Sequence, residues 1–184
     1  AQAATDGAVE AELTRLLAIG TGSGMAADVK GDVPFEQIGP DQVVLGRLLD
    51  IGTGTGRIAE LYAPSADHVA AIDKSPEMLR IARARLQHLP PARLSLLQGD
   101  FLDLPFDDQS FDTVMFHQVL HYAQEPMLAL AEAARVCRAG GTIAVVDFAA
   151  HDREELRERH AHARLGFTDE AMLALLTDAG FAAA

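Results

Sequence analysis

The sequence is short of positive charge: 15 Lys and Arg stand against 27 Asp and Glu over 184 residues, a formal net charge of −12. Phosphate backbones are gripped by clustered Lys and Arg, so this balance argues against a nucleic-acid interface. An anionic membrane surface is disfavoured for the same reason. A single cysteine, Cys137, leaves nothing to pair in an internal disulfide and fits a reducing cytosol. No apolar run approaches the roughly 20 residues of a membrane span. The N-terminal AQAATDGAVEAEL carries acids where a secretory signal has its apolar stretch. The expectation is an acidic cytoplasmic protein that binds neither nucleic acid nor membrane. A hydrophobic fraction of 49% with 23% charged residues marks a globular chain, long enough for one domain.

Several catalytic signatures are also missing. No Gly-Lys-Ser/Thr follows a glycine-rich loop, so there is no Walker motif. HQVLH (His117 to His121) has the spacing of the zinc-protease motif, but Gln118 replaces the glutamate that such chemistry needs as its base. His160 and His162 stand two apart on a predicted helix, where they face different sides. No metal site is expected. Cys137 reads as a small core residue on a helix, and DREELRERH as a solvated helix face.

What is present is an alternation. Apolar strands are predicted over Arg47–Ile51, His68–Asp73, Leu94–Gln98, Thr113–Gln118 and Thr142–Phe148. Helices are predicted between them: Arg57–Tyr62, one opened by Ser75-Pro76 and closed by Pro90-Pro91, and Pro126–Arg138. Two more follow, over Asp152–Arg164 and Thr168–Ala179. Ser75 and Thr168 are N-cap residues, and Pro76 suits the first helical position. Such an alternation implies an α/β fold, a Rossmann-like doubly wound parallel sheet. Ahead of it, Asp6–Ala18 reads as a helix stopped at Gly20. Residues 21–41 read as a Gly-, Asp- and Pro-rich insertion with a weak strand over Val33–Ile38. The expected organisation is therefore 1–42, an N-terminal helix plus insertion, and 43–184, a cofactor-binding domain.

Two stretches nearly repeat each other, LTRLLAIGTGSGM (13–25) and LGRLLDIGTGTGR (45–57). Only the second has the context of a cofactor loop. A strand precedes it, a helix follows, and an acid, Asp73, ends the next strand, where its carboxylate can take both hydroxyls of a ribose. In the first copy Ala18 stands in the place of Asp50, and no strand ending in an acid follows.

The motifs DIGTGTG (Asp50–Gly56), AIDKSPEML (Ala71–Leu79), QGDFLDLPFDDQSFD (Gln98–Asp112) and RAGGTIAVVDF (Arg138–Phe148) resemble the class I S-adenosylmethionine-dependent methyltransferases. HQVLHY (His117–Tyr122) with RERHAHARLGFTDE (Arg157–Glu170) looks most like the methyltransferase half of bacterial fusions with an arsenic-repressor-type DNA-binding domain. The resemblance implies a sheet of order 3-2-1-4-5 and S-adenosylmethionine as cofactor, leaving S-adenosylhomocysteine. It also implies roles by position. Asp50, Gly52, Gly54 and Gly56 would hold the methionine part and Asp73 the ribose. Met78, Asp100 and Phe101 would meet the adenine, and His117 the sulfonium end. His117, His121 and Tyr122 are the local candidates for a base, or for shaping a small-molecule acceptor pocket. A lone cysteine argues against arsenite as acceptor. The alternatives are an NAD-dependent oxidoreductase, which Gly54-x-Gly56-x-x-Ala59 fits loosely, and a non-catalytic domain that senses the cofactor. The family's sixth and seventh strands have no counterpart at the C-terminus, so Thr142–Phe148 is expected to be an unpaired edge that invites a homodimer.

Overall fold

The computed structural model describes residues 14–22, 44–160 and 162–182. Its strands are β1 (Thr14–Gly22), β2 (Gly46–Ile51), β3 (Ala66–Asp73), β4 (Leu94–Gln98), β5 (Phe111–His117), β6 (Cys137–Phe148) and β7 (Phe181–Ala182). The helices are α1 (Arg57–Tyr62), α2 (Pro76–Arg85), α3 (Pro126–Val136), α4 (Glu155–His160) and α5 (Asp169–Asp178). One sheet runs β4-β3-β2-β5-β6-β1-β7. The five strands from β4 to β6 are parallel and stand in the expected 3-2-1-4-5 order.

Periodicity and capping account for most of this. Leu48 and Leu49 of the central strand are both fully buried, pointing to opposite faces. Leu49 and Ile51 join the core under α3 and α5, while Leu48 joins Ile58, Ala59, Ala82 and Leu86 under α1 and α2. A strand covered on both faces needs apolar residues without alternation, which is what RLLDI supplies. Truncating either leucine to alanine removes about 2–5 kcal/mol. The Ser75 hydroxyl accepts from the Met78 amide at 3.2 Å, and Thr168 caps α5 in the same way through Ala171.

The N-terminal expectation is corrected. The described part of the predicted Asp6–Ala18 helix, from Thr14 onward, is the strand β1. It runs antiparallel to β6 from Thr14↔Phe148 to Thr21↔Thr142, with a bulge between Leu16 and Ala18. Helical spacing of Leu13, Leu16 and Leu17 loses to the open ladder of β6, whose unpaired amides and carbonyls gain most from a partner strand. The edge expected to lie unpaired is thus filled within the chain, which removes the basis for a homodimer through it. β7 pairs in turn with Thr21 and Gly22, so two strands lie beyond β6 where none was expected. Residues 14–22 therefore belong to the same sheet as the rest, across the boundary placed at 42/43. The strand candidate Val33–Ile38 lies outside the described residues.

Two smaller differences follow. Helix α3 ends at Val136, so Cys137 opens a strand, buried, with burial pushing its thiol up to about 11. His162 lies past the end of α4 instead of on it. No helix among the described residues is long and apolar enough to cross a membrane.

Candidate active site

The chain leaves β2 through Gly52-Thr53-Gly54-Thr55-Gly56, with φ of 69°, 53° and 78° at the three glycines. Those left-handed angles cost L side chains energy, so glycine is required here. At Gly52 the requirement is also steric, since a Cβ would lie 2.4 Å from Val119 Cγ2. The loop is tied to the neighbouring strand. Gly52 and Thr53 donate their amides to the Ile72 carbonyl at 2.8 and 3.0 Å. The Gly54 amide donates to Asp73 Oδ2 and the Ser75 amide to Asp73 Oδ1, both at 2.8 Å. Asp73 thus joins the glycine loop to the turn that opens α2.

A cavity of about 340 Å³ lies over the carboxyl ends of the strands, lined among others by Gly52, Gly54, Asp73, Phe101, Val119 and Tyr122. Two larger grooves lie elsewhere. One, near 530 Å³, sits by Arg47, His68 and Ser95 at the amino ends of β2, β3 and β4. The other, near 680 Å³, lies between the starts of α3 and α5. Ligands of open α/β sheets sit beyond the carboxyl ends, which singles out the smaller cavity.

The other residues expected at the site divide into groups. Asp50, at 1% exposure, is buried behind the loop, and its Oδ2 has no hydrogen-bond partner. Burial pushes its carboxyl up to about 6, and the charge of Asp73 adds in the same direction. Gly56 packs against Ala82 of α2 and Leu86 just past its end, outside the cavity wall. Asp100 lies at the rim, with Oδ2 2.9 Å from Lys74 Nζ and Oδ1 accepting from the Leu102 amide. Those contacts, Lys74 first, hold its carboxyl below the usual range. Met78 is 40% exposed on the first turn of α2, outside the cavity lining. His117 ends β5 beside Val146, also outside the lining. His121 is buried, its Nδ1 2.7 Å from Asp147 Oδ1. Of the three candidate bases, Tyr122 is the one that lines the cavity, and it is half exposed.

Sequence reasoning missed Lys74, Gln118 and Val119 in the cavity wall and Asp147 behind it. Gln118 carries a left-handed φ of 55°, where a non-glycine residue is strained. Asp147 had a readable signal, an acid inside an apolar strand (VVDF). Among the described residues no three His, Cys, Asp or Glu side chains converge on a point that could hold a metal ion.

The arrangement can do one kind of chemistry well. Two carboxylates, one of them buried with an oxygen left unpartnered, flank a loop that offers backbone close to a ligand. That combination repels a pyrophosphate and attracts a cation.

Comparison with known proteins agrees. Residues 49–145, over half of the chain, match the methyltransferase domain family. A demethylmenaquinone methyltransferase of Clavibacter sepedonicus is 41% identical over 86 residues, 47% of this chain and 34% of that protein. An uncharacterized 37.1 kDa protein in transposon TN4556 of Streptomyces fradiae is 34% identical over 137 residues, 68% of this chain and 39% of the other. The chain therefore spans well under half the length of these curated relatives. A crystal structure described as a methyltransferase of Bacillus halodurans C-125 superposes with a TM-score of 0.66 at 29% identity, covering 73% of this chain and 62% of that one. By sequence and by fold, the chain belongs to the methyltransferase domain family and is a class I S-adenosylmethionine-dependent methyltransferase domain.

Proposed function

We propose that the protein transfers methyl groups from S-adenosylmethionine to a small-molecule acceptor, in the cytoplasm. The observation that carries this is the buried, partnerless Asp50 Oδ2 behind the glycine loop. An unsatisfied buried carboxylate is costly, and a cationic ligand relieves that cost where an anionic dinucleotide would deepen it. The residues present fit the cofactor. Asp50 with Gly52 and Gly54 would hold its methionine part, and Asp73 the ribose. Phe101 and Asp100 would serve the adenine end; Met78 for the adenine and His117 for the sulfonium rest on motif position alone, since both lie outside the lining. Gly56 supports the loop through α2.

S-adenosylmethionine supplies, when bound, a methyl group already activated on a sulfonium centre. What this chain must add is placement and dryness. The turn after β5 and the glycine loop enclose the cavity, with Val119 against Gly52. Tyr122 presents a half-exposed ring to it, placed to orient an acceptor, its phenolic oxygen accepting a hydrogen bond from an acceptor that carries a proton, while the proton lost on transfer passes to solvent. His121 stands behind that ring and does not line the cavity. The net charge of −12 supports a small acceptor over a nucleic acid.

The finer likeness, to the methyltransferase half of arsenic-repressor-type fusions, draws support from the packing of its two segments on each other. The Arg164 amide donates to the His121 carbonyl at 3.1 Å, and the His121 and His162 rings lie 4.3 Å apart. Calorimetric titration with S-adenosylmethionine, S-adenosylhomocysteine and NADH tests the proposal. The first two are expected to bind and NADH not; binding of NADH alone would overturn it. Transfer of labelled methyl to small acceptors then separates an enzyme from a cofactor sensor.

A further inference from the structure

Asp147 of β6 and His121 of the turn after β5 form a pair outside the cavity wall and directly behind it, with side chains 0% and 1% exposed. Asp147 Oδ1 lies 2.7 Å from His121 Nδ1 and also accepts from the Phe148 amide at 2.8 Å. Its Oδ2 accepts from the His121 amide at 3.3 Å. With the Phe148 and His121 amides both donating to it, Asp147 is an acceptor, and the hydrogen between the pair is placed on Nδ1. His121 Nε2 is buried with no hydrogen-bond partner, in a ring that packs 4.0 Å from Tyr122 and 4.6 Å from Phe148.

The turn that carries His121 is the cavity wall on its other side. Gln118, Val119 and Tyr122 line the cavity, and Val119 leaves no room for a side chain at Gly52. A shift of this turn would therefore change the space at the glycine loop itself. From outside, the Arg164 guanidinium donates to the Ala123 and Gln124 carbonyls and holds the following residues. From beneath, the turn is anchored by Asp147 through both the ring and the backbone of His121.

We infer that Asp147 is a positioning residue for cofactor binding: it fixes His121 as the Nδ1–H tautomer, and that pair pins the 118–122 turn against the glycine loop. The inference rests on reading this cavity as the cofactor site. It separates His121 from a direct catalytic part and gives the buried pair a task.

The test combines ¹⁵N NMR of the His121 ring, amide hydrogen exchange and calorimetry with S-adenosylhomocysteine. Wild type is expected as the Nδ1–H tautomer. In Asp147→Asn the amide oxygen keeps the place of Oδ1, where two donors meet, and its NH₂ faces the His121 amide, so the Nδ1–H tautomer is expected to stay while the His121 and Tyr122 amides exchange about tenfold faster and S-adenosylhomocysteine binds about tenfold more weakly. His121→Asn places an N–H where Nδ1–H stood and is expected to keep affinity within about threefold, while His121→Leu matches Asp147→Asn. A wild-type Nε2–H tautomer, or unchanged exchange and affinity in Asp147→Asn, would overturn the inference. Should Asp147→Asn not fold, equal affinities of His121→Asn and His121→Leu would overturn it alone. A wild type that does not bind S-adenosylhomocysteine would sink the reading of the cavity, while tautomer and exchange still decide whether Asp147 pins the turn.

Discussion

Residues 13–25 and 45–57 differ at four positions, Thr14/Gly46, Ala18/Asp50, Ser23/Thr55 and Met25/Arg57, and they meet opposite fates. The second copy is a central parallel strand that breaks at Gly52 into a loop and a helix. The first runs as strand through Gly20 and Gly22, antiparallel at the outer side of β6. Glycine permits a left-handed turn and does not compel one. What compels the turn after β2 is the acceptors waiting for its amides, the Ile72 carbonyl and the Asp73 carboxylate. The amides of β1 find their partners in a ladder with β6 and β7 instead. A near-identical peptide thus becomes a ligand loop or a sheet strand according to what it meets.

The sharpest break of this comparison is valine at the matched glycines. Gly52→Val meets both a positive φ and Val119, and is expected to weaken S-adenosylmethionine binding by about 100-fold or more and to cost about 3 kcal/mol of stability. Gly20→Val in β1, the counterpart of Gly52, is expected to leave affinity within about threefold, because a strand glycine has no ligand-facing part. Calorimetry and urea unfolding on the two variants check this; comparable losses of affinity would erase the distinction.

Proline at Ile19, opposite Ala144, attacks the other copy. It is expected to destabilise the fold by about 3 kcal/mol and to lower amide protection along β6. With that edge reopened, light scattering should report self-association.

Asp50→Asn tests the one difference between the copies that brings a carboxylate. Burial raises the Asp50 carboxyl to about 6, above its value of 3.8 in an unfolded chain. The folded state therefore holds this proton more tightly, and ionisation costs stability progressively from pH 3.8 up to about 6, and fully above. Asp50→Asn is expected to stabilise the ligand-free protein by about 2 kcal/mol at pH 7, with the gain shrinking toward pH 4. It should at the same time weaken S-adenosylmethionine about tenfold. In wild type, cofactor affinity is expected to fall below pH 6, by at most about tenfold per pH unit, and to hold steady above it. A flat profile between pH 5 and 7 would detach Asp50 from the cofactor.

The smallest expected effect is at Tyr122. Tyr122→Phe should leave cofactor affinity within about twofold and lower turnover only for acceptors that lose a proton. An equal loss with every acceptor would assign the ring a packing part alone.

Much of the fold and part of the site could be read from the residues. The five parallel strands, Ser75 and Thr168 as caps, and the glycine loop with Asp73 all depend on contacts that period, propensity and short spacing encode. Asp73 was legible because an acid at the end of an apolar strand, one strand after a glycine loop, has few structural reasons to be there. Met78 and His117 were placed by motif position, and the chain puts both outside the cavity lining. Motif position conveys sequence distance and not the direction in which a side chain points.

By itself, then, the sequence determined the α/β alternation, the parallel order and which of two glycine-rich copies had the setting for a ligand. These follow from local propensity and from burial patterns with periods of 2 and 3.6 residues. Only the tertiary structure decided that Thr14–Gly22 would be a strand, because that choice belongs to the open edge of β6 more than 100 residues away. It also decided that Asp147 would meet His121, which lies 26 residues earlier, and that Asp50 Oδ2 would be left without a partner. Each of these is settled by which distant groups remain unsatisfied once the sheet has closed, a quantity that no local window of residues contains.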